Sequence, residues 1–541
     1  MSTDAIRTRH GAPWRAPRRA LPTLVAALLA SVYLIIQPTG ADLPAQLLRT
    51  KLFGAEGFGI WNNWWYGGHN LPGYSVLFPA SAWLATPQLV AALAAVGTAA
   101  AFEALTYRAY GDDGWLGATW LGGATVTELL SGRLTFAFGL CGVALSALAL
   151  QRRRGRAAAI AAFLTALASP VAALFVALAG ATVLITGPSR RSGATVVAAA
   201  LAPVAALAIA FPQSGSQPFA FSTLWPLLLI AAIVIATLPR GSATLRAATA
   251  LYGLGCLAAY AISTPVGANA ARLGELLAGP LAALLLWRSR GGRDGHRFAT
   301  RLLVLAAAAI PLTYLQVHDA VTDLQHGSQA PSDSVAYYRP LIRFLNRQPG
   351  AAEQRWRLEV PFTQGHWEAD RLAPLFPLAR GWERQLDVAD NHLFYGGRLN
   401  ASSYERWLQQ LAVRYVAVAD APPDYSARAE LKLIGQGLPY LKLAARLPHW
   451  RVYEVTVAKP IVSGAATLTA VGAQSLALDV EHPGTAYVRV RWSPYWRLSG
   501  VSGCVAPWGA FTLVRARSSG TARLQISFSL TRIGTHSARC D

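Results

Sequence analysis

Charge is scarce in this chain. Asp, Glu, Lys and Arg make up 14% of its 541 residues, against 53% hydrophobic residues. Such a composition is too apolar for an ordinary soluble enzyme and excludes disorder for the bulk of the chain. Lysine is nearly missing, at 4 residues against 44 arginines, yet the net charge is +21. Four cysteines exclude a disulfide-dense scaffold. HEXXH, CXXC and closely spaced outer acids of the DXD kind are absent, so no metal signature is visible. No GXGXXG or Walker loop precedes a helix, and the cofactor question stays open. No soluble N-terminal module carries a basic–aromatic patch, which argues against a nucleic-acid partner. Neither a fixed-period repeat nor the inverted symmetry common in transporters is visible.

What the chain does have is a first part built of Ala/Leu/Val runs. The runs predict eleven spans, near 20–37, 88–107, 115–130, 133–150, 157–171, 172–187, 194–211, 223–238, 247–263, 274–287 and 302–316. A basic segment, 1–19, precedes them; no small-residue cleavage site follows Pro38, so the first span reads as an anchor rather than a signal peptide. With the N-terminus cytosolic, 19 basic residues fall inside, and Arg49, Lys51, Arg133 and Arg272 fall outside. Positive loops resist translocation, so this split expects a plasma-membrane protein surrounded by membrane lipids, with residues 317–541 extracytoplasmic. There Cys504 and Cys540 are free to form a disulfide, while Cys141 and Cys256 sit in spans as small core residues.

The outer loop 38–87 is long and dense in aromatics and turn residues. Asp42 stands just after the first membrane exit. Trp65, His69, Asn70 and Tyr74 follow in WNNWWYGGHNLPGYSVLFP (61–79). These residues also suit an interfacial aromatic belt, a GGHN turn and an Asp that caps a helix. Glu128, an acid near the outer end of its span, is expected to face a cavity or a partner. Arg133 and Arg272 lie at outer span ends, where pairing with Glu128 and Glu275 is the plain alternative to a binding role.

The Asp42 loop, the following LPAQLLRTKLF, the 61–79 segment, SGRLTFAFG (131–139), ASPVAALFVALAGA (168–181), GANAARLGELLAGPL (267–281) and the soluble tail resemble GT-C-fold membrane glycosyltransferases, especially actinobacterial ones. The Arg-over-Lys and Ala-rich composition also fits a GC-rich bacterial genome. The resemblance implies a GT-C-like, mostly α membrane protein that moves a sugar from a polyprenyl-phosphate donor to a cell-envelope glycan or glycolipid on the outer side. It departs from the superfamily in having no acid adjacent to Asp42. A carboxylate near the membrane surface can take the proton of an acceptor hydroxyl, which makes Asp42 the candidate base. Arg133 and Arg272 are candidates for the leaving phosphate.

The tail reads as an α/β part, 317–459, and a β-sandwich-like part, 460–541, with alternating runs such as LALDV (476–480) and TAYVRVRW (485–492). It holds 25 basic and 18 acidic residues, enough to attract an anionic polymer but not demanding one. Segment 364–395 offers His366 and Glu368 beside Trp faces for sugar binding. The alternative there is a set of ion pairs, with Arg380, Glu383 and Arg384, that pack the tail on the membrane part. Two non-enzymatic functions stand beside the transferase: a lipid or glycan transporter and an envelope-assembly scaffold. Polar residues cluster at outer span ends, which favours an outward-facing site over a full crossing.

Overall fold

The computed structural model describes residues 16–187, 189–213, 215–238, 241–287, 295–327 and 330–540. Most of the basic N-terminal segment, together with Arg240, Arg288, Arg290 and Arg293, lies outside the described residues. The first long helix is α1 (Ala16–Ile36), and the long loop that follows holds α2 (Leu43–Glu56) and α3 (Phe78–Ala85). Then come α4 (Pro87–Tyr110), α5 (Trp115–Leu130), α6 (Leu134–Gln151), α7 (Gly155–Ala168), α8 (Pro170–Thr186), α9 (Arg190–Ala210), α10 (Phe221–Thr237), α11 (Ala243–Ala261), α12 (Ala271–Trp287) and α13 (Gly295–Gly327). Every segment expected as a span forms one of these helices.

The chain is thus a multi-pass membrane protein. Among the described residues six stretches are long and apolar enough to cross a bilayer, one of them running through both α4 and α5. Helices α7, α8 and α10 are apolar but shorter, at 14, 17 and 17 residues. Between α7 and α8 the chain turns at Ser169, whose hydroxyl caps α8 by accepting from the Ala172 amide, and Pro170 follows. Alanines at i, i+4 and i+8, such as Ala91, Ala95 and Ala99 on α4 and Ala158, Ala162 and Ala166 on α7, are buried and make flat faces for close helix packing. α13 does not stop at residue 316; it continues to Gly327 and carries Asp319 and Asp323 on its last turns.

The tail opens with α14 (Val335–Leu345) and a four-stranded sheet, flanked by short helices. In chain order these are β3 (Arg357–Glu359), α15 (Glu368–Arg371), α16 (Arg384–Asp390), α17 (Ala401–Gln410), β4 (Val413–Ala419), α18 (Arg428–Gly435), β5 (Leu441–Leu447) and β6 (Trp450–Val455). β3 runs parallel to β4, and β6 pairs antiparallel with both β4 and β5. Two antiparallel sheets complete the chain. One has the order β15-β12-β13-β10-β7 and the other β11-β14-β9-β8. Their strands are β7 (Val462–Gly464), β8 (Ala466–Val471), β9 (Ser475–Val480), β10 (Gly484–Arg491), β11 (Trp496–Ser499), β12 (Gly503–Trp508), β13 (Phe511–Ala516), β14 (Gly520–Ile526) and β15 (Arg539–Cys540). Alternate residues such as Leu476, Leu478 and Val480 of β9 and Ala522 and Leu524 of β14 fill the space between the sheets. A disulfide joins Cys504 and Cys540, which face each other in the β12–β15 pairing.

The loop between α1 and α4 is where the tail sits on the helices. Strands β1 (Trp61–Asn62) and β2 (His69–Asn70) fold the loop into a hairpin. Trp65 Nε1 donates to Ala369 O at 3.1 Å, Tyr66 Oη donates to Gly381 O, and the Leu378 amide donates to Trp64 O at 2.8 Å. A side chain at Gly381 would run into the Trp65 ring at 2.2 Å, so only glycine lets the tail backbone lie on that ring. The sandwich adds Asn63 N to Ala473 O at 2.9 Å and Tyr495 Oη to Ala210 O at 2.6 Å. At the centre Arg49 on α2 pairs with Glu383 at 2.5 Å, both side chains more than nine-tenths buried. Lys51 pairs with Asp370 at 2.7 Å beside it.

Removing one partner of a buried pair strands the other, so Arg49→Ala is expected to cost about 3–5 kcal/mol, whereas Arg49→Met with Glu383→Gln recovers most of the loss. Thermal unfolding of the micelle-solubilised chain measures both. A single variant within about 1 kcal/mol of the parent would mean that this pair does not hold the tail.

Candidate functional site

Two loops pressed backbone to backbone place Asp42. A Cβ on Gly40 would meet Leu130 O at 2.4 Å, and one on Gly132, whose φ is +75°, would meet Leu43 N at 2.5 Å. The loop after α1 therefore nests against the turn between α5 and α6, and the Asp42 amide donates to Ser131 O at 3.3 Å. Asp42 is the N-cap of α2, but its side chain makes no capping hydrogen bond. The carboxylate instead turns to Arg133, with Oδ2 at 3.8 Å from Nε. Arg133 Nη2 is 3.3 Å from Asp319 Oδ2 on α13. The Glu128–Arg133 link is between backbones, Arg133 N to Glu128 O at 2.9 Å, so the expected side-chain pairing is replaced by the contacts to Asp42 and Asp319.

Glu128 is buried, and its Oε2 has no hydrogen-bond partner. Together with Ser131, Arg133, Glu275 and Asp319 it lines a pocket between α5, α12 and α13. Arg272 makes no ion pair with Glu275. Its guanidinium lies 5.1 Å from the centre of the Phe136 ring and, among the described residues, has no hydrogen-bond partner. Tyr74 closes the other side of the site. Its hydroxyl accepts from Gln46 Nε2 at 2.7 Å, while Gln46 Oε1 accepts from Thr135 at 2.5 Å. The Arg49 guanidinium covers the Tyr74 ring at 3.8 Å. Burial raises the Tyr74 hydroxyl's pKa, and the nearby Asp42 raises it further against the opposing pull of Arg49 and Arg272. The site therefore combines carboxylates able to accept protons with an unpaired guanidinium able to meet an anion. Among the described residues no group of three or more His, Cys, Asp or Glu is placed to hold a metal ion.

Asp42, Tyr74, Glu128, Arg133 and Arg272 thus come together. The other residues expected at the site are enclosed by packing partners, although His366 lies within electrostatic range of Asp42. Trp65 is wholly buried and stacks on His69 with ring centres 5.9 Å apart, so neither presents a face to a sugar. His69 Nε2 meets Asn62 Nδ2 at 3.1 Å, and its Nδ1 meets Asn70 O. Asn70 Nδ2 donates to Pro212 O, tying the hairpin to the loop after α9. His366 is buried in the tail, stacked on Trp382 at 3.4 Å and lying 3.7 Å from Asp424 and 3.8 Å from Glu368. Glu368 accepts from the Thr363 amide and hydroxyl, and burial pushes its pKa up to about 7. Segment 364–395 is therefore folded inward as ion pairs: Arg380 with Asp387 and Glu430, Arg384 with Asp424, and Glu383 reaching across to Arg49.

No protein-family model matches the chain, and no curated protein does. Among solved structures it is similar to ArnT from Cupriavidus metallidurans in the apo state, with 12% identity and a TM-score of 0.39, over 83% of this chain and 99% of that one. It is also similar to ArnT from the same organism bound to undecaprenyl phosphate, with 12% identity and a TM-score of 0.38 over the same shares.

Residues missed in the sequence complete the site. Asp319 and Asp323 are one helical turn apart just beyond an apolar run, and Gln46 is one turn beyond Asp42 on α2. Both spacings are i, i+4, which places each pair on one helix face.

Burial, aided by Arg49, lowers the His69 pKa to about 3, so its imidazole is neutral in the folded protein. An unfolded histidine binds its proton near pH 6.5, so between pH 6.5 and about 3 the unfolded chain holds a proton that the folded chain refuses. Stability from this group is full above pH 6.5 and falls as the pH drops, by about 2 kcal/mol at about pH 5. His69→Gln is expected to flatten the acid side of the stability profile by that amount. An unchanged slope in thermal unfolding between about pH 7 and about pH 5 would refute a buried neutral imidazole.

Proposed function

We propose that this chain is a plasma-membrane glycosyltransferase that moves a sugar from a polyprenyl-phosphate donor to an envelope glycan or glycolipid. The reaction takes place at the tail-side end of the helices. The arrangement that carries the reading is the uncapped Asp42 carboxylate beside Arg133, with the unpaired Arg272 guanidinium on the same site. The arginine distribution supports a cytosolic N-terminus and an extracytoplasmic tail.

In this mechanism the acceptor hydroxyl gives its proton to Asp42 as its oxygen bonds to the anomeric carbon of the donor sugar. The bond from that carbon to the phosphate oxygen breaks, and the phosphate leaves with the electron pair. Arg272 and Arg133 meet the charge gathering on it, where the bundle's low-dielectric walls strengthen the attraction. The acids around Arg133 hold its guanidinium in place, while Arg272 has no such claim on it. Asp319, whose side chain is exposed beside Arg133, offers an acceptor for a sugar hydroxyl.

Asp42→Asn keeps the size and removes the base, so it is expected to lower transfer at least about 100-fold without loss of folding or insertion. Arg272→Gln is expected to weaken donor binding by roughly 10- to 100-fold. The first measurement is a comparison of envelope glycolipids and polyprenyl-phosphate sugars in cells with the intact chain, the Asp42→Asn chain and none. Donor accumulation with a missing glycan in the last two supports transfer. An unchanged glycan profile would overturn it in favour of transport or scaffolding.

A further inference from the structure

A cavity of about 460 Å³ lies far along the chain from Asp42, between α17 and the hairpin that joins β12 to β13. Its volume is in the range of small-molecule sites. Arg406 and Gln409 line it from α17, Lys459 from the segment linking the two parts of the tail, and Arg489, Trp508 and Phe511 from the sandwich. No carboxylate lines it. Arg406 and Lys459 are exposed and, among the described residues, make no hydrogen bond or ion pair.

Arg489 differs in being fixed. It is 8% exposed, and its Nη1 donates to Pro460 O and Ser463 Oγ, both at 3.0 Å, which sets the guanidinium 5.8 Å from the centre of the Trp508 ring. Tyr487 packs on Trp508 at 4.9 Å. The Trp508 ring is thus packed by Tyr487 and Arg489, yet it is 39% exposed. Nothing in the fold requires three cations without a carboxylate partner to line one groove, and like charges gathered together repel.

We propose that this groove binds an acidic saccharide. The Trp508 ring offers an apolar face to the ring of a sugar, the Gln409 amide meets hydroxyls, and the three cations meet a carboxylate or phosphate on the same unit. A single-stranded nucleic acid fits less well, because such sites use successive aromatic platforms along a basic track and this cavity has one exposed tryptophan. The assignment stands on the groove itself and is independent of the chemistry at Asp42.

The test is calorimetric titration of the full chain in detergent micelles with trigalacturonate, maltotriose, inorganic phosphate and a short oligodeoxynucleotide. Trigalacturonate is expected to bind at least about tenfold tighter than maltotriose or phosphate, and to weaken as NaCl rises from about 0.1 M to about 1 M and the screening length falls from about 10 Å to about 3 Å. Arg406→Gln with Lys459→Gln, both exposed, is expected to lose about tenfold or more at an unchanged melting temperature. Trp508→Ala is expected to weaken the saccharide and leave phosphate as it was. Equal binding of maltotriose, phosphate as tight as the trisaccharide, tighter oligonucleotide, or no effect of the double variant would each overturn the proposal. Asp42→Asn is expected to bind as the parent does, so failure at the groove and failure of the transferase reading are scored separately.

Discussion

The ion pair between Arg49 and Glu383 joins residues 334 positions apart, in the loop after α1 and in the tail, and the rest of the molecule is arranged around that union. Two charges removed from water are expensive to bury, and here the guanidinium Nε and Nη1 have no hydrogen-bond partner at all. The faces of Tyr74 at 3.8 Å and Trp65 at 5.6 Å surround the cation and offset part of that cost. What the pair supplies is register: apolar contacts alone would let the tail slide on the loop, whereas a buried charge accepts only its partner. The hydrogen bonds of Trp65, Tyr66 and Trp64 to the 369–383 stretch follow from that register.

The same arginine links docking to the candidate site. Arg49 covers the Tyr74 ring, Tyr74 is bonded to Gln46, and Gln46 to Thr135 on α6. Four residues later than Asp42 on α2, Gln46 thus pins the start of that helix to the bundle. The backbone contact of Gly40 and Gly132 pins it from the other side. Asp42 is held between these two clasps with its carboxylate unspent on capping, which is why it faces Arg133. Pre-positioned side chains of this kind are what catalysis by orientation requires.

The long apolar helices were legible because a run of apolar residues is a local property of the chain, and Asp42, Arg133 and Arg272 mark places where such runs end. Asp319 and Asp323 were not legible as site residues, because hydropathy ends the span at 316 while the helix runs on to Gly327. Residue types alone did not decide what the aromatic loop does. A tryptophan stacks as well on a buried histidine as on a sugar, and Trp65 and His69 do the former. His366 and Glu368 went the same way, enclosed with Trp382 and Thr363 inside the tail.

Composition and periodicity by themselves determined that this chain is a membrane bundle with a folded tail, since the length of an apolar run and the alternation of a strand depend on neighbours in sequence. Only the tertiary structure decided which polar groups stand open and which are shut away. That outcome depends on pairings such as Arg49 with Glu383, or Arg133 with both Asp42 and Asp319, whose energies come from distance and desolvation between segments far apart in the chain.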